Sequence, residues 1–159
     1  MKIGIVMGSA SDYEVVKRAE NILGSFGVGY ETRVISAHRT PKIAAEYASG
    51  AEEAGYEVII AAAGKAAHLA GVLAAGTPLP VIGLPIKSST LDGLDSLLSI
   101  VQMPKGVPVA TVAIDGAENA ALLALQILSV KYDQLRAAMK IYKENMEKEV
   151  IEADAGLVR

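Results

Sequence analysis

The 159-residue chain has no cysteine and no tryptophan. Lack of cysteine excludes a disulfide framework, thiolate metal sites and a cysteine nucleophile. Only two histidines are present, His38 and His68, too few for an all-histidine zinc centre. Neither a resident metal nor a cofactor is expected. One Phe and six Tyr leave little to stack on a flavin ring. No apolar run approaches the length of about 18 residues that a membrane span needs. Fifteen basic against eighteen acidic residues, with no basic stripe, give no nucleic-acid footprint. Strand-like sequence begins at Lys2, so no secretory leader is expected, and a cytoplasmic location fits the absent cysteines.

What the chain has in quantity is small and aliphatic. Hydrophobic residues make up 52%, glycine numbers 15, and the mean hydropathy is +0.35. That value is high for a soluble monomer, and apolar surface without a membrane segment points to subunit contacts. An oligomer is expected.

Short Val- and Ile-rich runs alternate with longer helical patterns. Strands are expected at Lys2–Met7, Tyr30–Ile35, Val58–Ala63, Val81–Pro85 and Val109–Ile114, with helices near 12–26, 41–54, 66–76, 93–102 and 117–130. Strands apolar on both faces and separated by helices predict a parallel sheet covered on each side. The expected class is therefore α/β, a three-layer flavodoxin-like parallel sheet of five strands. No linker interrupts it, so 1–159 reads as one domain, with an α/β core over 1–130 and a C-terminal amphipathic helix over 131–153. The stripe of Tyr132, Leu135, Met139, Tyr142, Met146 and Val150 docks that helix on the core or on a neighbour. The segment "AAHLAGVLAAGT" is apolar nearly all round and should be buried on more than one side.

In such a sheet, ligands bind beyond the carboxyl ends of the strands. Both histidines follow strand ends, as do Ser9, Ser11, Asp12, Ser36, Arg39, Lys65 and Lys87. "GSASDYE" is neither a dinucleotide fingerprint nor a P-loop. Ser11 and Glu14 fit a capping box as well as a site, whereas Ser9 precedes the expected cap. A helix N-terminus with hydroxyls suits phosphate, and the Asp12 carboxylate suits sugar hydroxyls, which together suggest a ribose phosphate. In "SAHRTP", Thr40 is a natural N-cap and Pro41 a natural first helical residue. Ser36, His38 and Arg39 are left for the turn. Arg39 can grip phosphate with two N–H groups, and its charge should keep His38 neutral and ready to exchange protons. His68 fits a buried structural role as well as a site role. Lys65 is solvated or meets an anionic group.

The segments "GSASD", "SAHRTP", "AAHLAG" and "LDSLLSIVQMPKGVPVATVAI…NAALLALQIL" resemble the N5-carboxyaminoimidazole ribonucleotide mutases of purine biosynthesis, over about Ile3 to Leu128. The resemblance implies a flavodoxin-like subunit in an octamer and a reaction without ATP or metal. Carboxylate moves from an exocyclic nitrogen to an adjacent ring carbon. It further implies His38 as the catalytic acid–base and Ser9, Asp12 and Arg39 as ribonucleotide ligands, assisted by Ser36. Ser11, Gly64, Lys65, Ala66 and His68 complete the implied substrate pocket.

Two departures stand out. The family usually reads "GAGGAAHLPGM" where this chain has "AAAGKAAHLAGV", so Lys65 replaces a glycine close to where carboxylate should lie. The loop "IDGAEN" is shorter than the family's glycine-rich version. A direct carboxylase of aminoimidazole ribonucleotide using free carbon dioxide is the nearest alternative. A phosphoacceptor or nucleotide-sensing module of the same fold lacks support, because "AAAGKAA" stands where its third-strand aspartate would be.

Overall fold

The computed structural model describes residues 1–157. Five strands, β1 (Lys2–Met7), β2 (Gly29–Val34), β3 (Val58–Gly64), β4 (Val81–Ile86) and β5 (Ala110–Thr111), form one sheet in the order β2-β1-β3-β4-β5. Every pairing is parallel, so the class is α/β with the flavodoxin-like strand order. Six helices follow: α1 (Tyr13–Ser25), α2 (Pro41–Gly50), α3 (Leu69–Gly76), α4 (Leu94–Val101), α5 (Ala117–Ser129) and α6 (Asp133–Leu157). Short 3-10 turns at Ala10–Asp12 and Leu91–Gly93 lead into α1 and α4.

The sheet separates two cores. On one face Ile3, Ile5, Ile60, Ile82 and Leu84 pack against α1 and α5 through Val16, Leu23, Ala121 and Leu125. On the other, Val6, Ile59, Ala61 and Ala63 meet α2 and α3 through Tyr47, Ala48, Ala70 and Leu73. Alternating side chains of β1 and β3 thus serve opposite layers, as a pleat requires. Only the three central strands are buried on both faces. β2 lies at an edge, and its residues are exposed or half-buried, contrary to the expectation for every strand.

Helix ends follow from local chemistry. After α1, Gly27 takes φ +66, Gly27 N–H donates to Gly24 and Val28 N–H to Leu23, a Schellman closure that turns the chain into β2. Pro41 opens α2 as expected. Thr40 holds the N-cap position, but its Oγ1 accepts from Ser36 N–H and donates to Ser36 O, bracing the turn rather than capping the helix.

Further expectations change: α2 stops at Gly50, short of the expected 54. β5 shrinks to two residues, although Val112 N–H and Asp115 N–H still donate to Gly83 and Pro85 and keep the segment beside β4. α3 begins at Leu69 rather than 66, because Lys65 adopts a left-handed φ of 55° that no helix continues from. α6 runs to Leu157, beyond the expected 153. Its first turns bury Leu135 and Met139 on the core, with Tyr142 against Phe26. Further along, Met146 and Val150 are exposed, so the stripe is only partly used within the chain. In α3, Leu69, Ala70 and Leu73 are buried while Val72 is exposed.

Close packing across the second core depends on small residues. A Cβ on Gly83, in the middle of β4, would collide with Ile100 Cγ2 and lie 2.9 Å from Val109 Cγ1. Gly83→Ala is expected to lower the unfolding free energy by about 1–3 kcal/mol through overpacking. Urea melts would show this as a lower midpoint at unchanged slope. An unshifted midpoint would mean that α4 yields at Ile100 without cost.

Candidate active site

Because all strands run parallel, their carboxyl ends share one rim, and a cleft of about 560 Å³ opens there. That volume lies within the range of small-molecule sites. Its walls come from the segments after β1, β2, β3 and β4. All the residues that the sequence singled out line it: Ser9, Ser11, Asp12, Ser36, His38, Arg39, Gly64, Lys65, Ala66 and His68. Gly8, Ala37, Ala63, Leu69, Ile86, Ser88 and Ser89 also line it and were not singled out, since the glycine and apolar residues carry no chemical signature and the two serines no distinctive spacing. Lys87, noted after β4, also lines the cleft.

The segment after β1 differs from the capping-box expectation. Ser9, not Ser11, is the cap: its Oγ accepts from Ser11 N–H at the start of the 3-10 turn. Ser11 Oγ in turn donates to Ser9 Oγ at 2.9 Å or to Asp12 Oδ1 at 3.1 Å. Asp12 occupies the N-cap position of α1 without a side-chain capping bond, so its carboxylate stays available at the cleft.

After β2, Arg39 Nη2 donates to Gly8 O at 3.0 Å, tying the first two segments together. Arg39 N–H donates to Ser36 Oγ at 3.2 Å, and Nε lies 3.4 Å from the same oxygen. The guanidinium is exposed, with further N–H groups free for an anion. The two histidines meet: His38 Nε2 lies 2.9 Å from His68 Nδ1, with the rings at 77°. A bond of this kind holds one proton between the facing nitrogens, whichever ring donates. His38 Nδ1 and His68 Nε2 are left for other partners. His68 is exposed at the N-cap position of α3, so the buried structural reading does not apply. Nothing in the sequence signals this contact across thirty positions.

The segment after β5 contributes indirectly. Asp115, in a left-handed turn with φ 55°, accepts from Lys87 N–H through Oδ1, and its carbonyl accepts from Arg18. Among the described residues no cluster of three or more His, Asp or Glu side chains has the arrangement of a metal site.

Partial burial pushes the Asp12 carboxyl above its ordinary range; the Ser11 hydroxyl opposes this and the Asp115 charge adds to it. A carboxylate with a raised folded-state value destabilises the fold once ionised. That penalty is absent below the ordinary range near about pH 4 and is fully present above the raised value. Asp12→Asn is therefore expected to stabilise the unliganded protein at pH 7, by about 1 kcal/mol or less. The gain should shrink as pH falls toward about 4. Thermal melts at several pH values check this, and a gain that grows on acidification would contradict it.

Comparison with known proteins converges on one family. The family model described as AIR carboxylase matches residues 2–149. A protein of Pyrococcus abyssi named N5-carboxyaminoimidazole ribonucleotide mutase is 65% identical over 147 residues, covering 92% of this chain and 84% of the relative. A mutase of the same name from Thermotoga maritima is 60% identical, with 95% of this chain and 88% of the relative covered. The crystal structure of Treponema denticola PurE superimposes with a TM-score of 0.91 at 30% identity, covering 99% of both chains. With a match that takes in every strand and every cleft-lining segment, the chain belongs to the AIR carboxylase family.

Proposed function

We propose that the protein is an N5-carboxyaminoimidazole ribonucleotide mutase, an isomerase of purine biosynthesis that forms 4-carboxyaminoimidazole ribonucleotide. The observation that carries the mechanism is the His38–His68 pair set in a cleft whose remaining polar groups suit a ribonucleotide. Ser9, Ser11 and Ser36 supply hydroxyls, Arg39 supplies the phosphate counter-charge, and Asp12 takes ribose hydroxyls. Gly64, Ala66 and His68 bound the side where the imidazole base and its carboxylate lie.

The reaction relocates one carboxylate and one proton. The exocyclic N–C bond breaks, carbon dioxide leaves, and His38 delivers a proton to the nitrogen. The ring carbon then uses its electron pair to attack carbon dioxide. His38, now without that proton, takes the one displaced from the ring carbon. Proton count and charge return to their starting values, so one acid–base serves both halves. His68 holds the His38 ring through the 2.9 Å bond and fixes which nitrogen faces the substrate. Ala63, Gly64, Ala66 and Leu69 give the wall its small, apolar character, which keeps water from competing for the intermediate.

The proposal includes a homo-octamer working in the cytoplasm. Exposed Leu91, Leu94, Leu98 and Val101 at and before α4, and Ile141, Met146, Val150 and Ile151 on α6, support subunit contacts. Among the described residues no helix is long and apolar enough to cross a membrane.

The deciding experiment supplies the purified protein with freshly generated N5-carboxyaminoimidazole ribonucleotide, or with aminoimidazole ribonucleotide and bicarbonate, without ATP. Ultraviolet absorbance should show rapid carbon-carboxylated product from the first substrate only. Efficient use of the second would make the protein a direct carboxylase. His38→Asn should retain ribonucleotide binding and lose at least about 100-fold in turnover. Near-normal turnover in that variant would remove His38 from the proton-carrying role.

A further inference from the structure

Three cations line the cleft: Arg39, braced by neutral oxygens and proposed for the phosphate, Lys87, held in an ion pair, and Lys65. Arg39 is bonded to Gly8 O and Ser36 Oγ, and Lys87 Nζ lies 3.2 Å from Asp92 Oδ1. Lys65 is exposed at the cleft and takes part in none of the ion pairs among the described residues. Its backbone is the less expected feature. φ is 55°, a conformation that disfavours residues with a Cβ and that glycine enters freely. Asp115 adopts the same conformation, but there a side-chain bond from Lys87 N–H compensates, and aspartate tolerates the region. At Lys65 only the turn's backbone acts, with Ala67 N–H donating to Lys65 O and His68 N–H to Ala66 O. A strained position with no local compensation at the wall of a site suggests that its side chain is used.

The turn also fixes where that residue stands on the wall. Lys65 lies three residues before His68, whose ring meets His38, and it is flanked by Gly64 and Ala66. The substrate proposed above carries two anionic groups, a phosphate at one end and a carboxylate on the base at the other. Arg39 and the serines of the first two segments account for the phosphate. The carboxylate, beside the proton-handling imidazoles, has one unengaged cation within its segment of the wall.

We infer that Lys65 is the counter-ion of the migrating carboxylate and sets the preference of the cleft for carboxylated over uncarboxylated ribonucleotide. This rests on the mutase reading and deepens it. It also predicts how the effect divides. Carboxylate is charged in substrate and product, but carbon dioxide between them is neutral, so the pair with Lys65 is weakest midway through the reaction. An interaction made in the ground states and relaxed at the intermediate governs KM more than kcat.

The test uses the full-length protein and its Lys65→Met and Lys65→Arg variants. Met preserves the length of the side chain and the same backbone demand, so stability should not separate it from the parent. Titration calorimetry with 4-carboxyaminoimidazole ribonucleotide and with aminoimidazole ribonucleotide measures the two affinities. Lys65→Met should weaken the carboxylated nucleotide by about tenfold, the scale of a hydrogen bond to a charged group, and the uncarboxylated one by less than about twofold. In turnover, KM should rise while kcat is unchanged or higher, and Lys65→Arg should restore most of the affinity and of the parental KM. Equal weakening of the two nucleotides, or no weakening of either, overturns the role of Lys65 while parental turnover leaves the mutase reading intact. If the parent itself neither converts the N-carboxylated substrate nor binds its product, both readings fall together.

Discussion

The register in which β1 lies between β2 and β3 sets the position of every reactive group. Met7 pairs with Val34 on one side and with Ala62 on the other, so the three chains leave the sheet at nearly one level. From there Ser9 and Asp12, Ser36 to Arg39, and Lys65 to His68 enter the same space. A slip of one residue in either pairing would reverse which side chains face each layer and would separate the segments by a residue's rise. Ile3, Ile5 and Val6, each fully buried, oppose such a slip, because any shift would send them to the wrong core. Two fastenings at the rim confirm the level: Gly8 N–H donates to Ala62 O, and Arg39 reaches Gly8 O.

This dependence explains what the sequence makes legible. The strands of the interior, β1, β3 and β4, are uninterrupted apolar runs and were placed to within a residue at each end. At the edges the signal weakens. β2 is largely exposed, and the six residues expected for β5 supply only Ala110 and Thr111 to the ladder, since an edge segment can follow its neighbour through isolated bonds. The start of α3 was misplaced because helical propensity in "KAAHLAGVL" is read without φ. The left-handed Lys65 and the two tight bonds after it delay the helix by three positions.

The site was legible as a list of residues and not as a network. Position after a strand end is a topological fact that pattern alone conveys, so eight of the ten candidate residues converge, while Gly64 and Ala66 came with the family resemblance. Pairwise geometry is a tertiary fact. The exchange of capping duty from Ser11 to Ser9 depends on a 3-10 turn before α1, and the His38–His68 bond depends on the angle at which two separate loops leave the sheet. Local periodicity carries neither.

In the mechanism proposed above, the network also bears on how one imidazole can serve two steps. A lone exposed histidine that gives up a proton can regain one from water before carbon dioxide is recaptured. His38 is not alone: its Nε2 shares a single proton with His68 Nδ1. Donor and acceptor exchange along that bond alters which outer nitrogen is bare without adding charge to the cleft. The pair can therefore stay one proton short through the interval when the carboxylate is absent, and return to its starting state by taking the proton that the ring carbon loses. Arg39 stays clear of this exchange, because its guanidinium is directed to Gly8 O and Ser36 Oγ rather than to either ring. On the proposed reading, the binding of charge and the handling of the proton fall to different segments of one rim, and the parallel sheet is what brings those segments together.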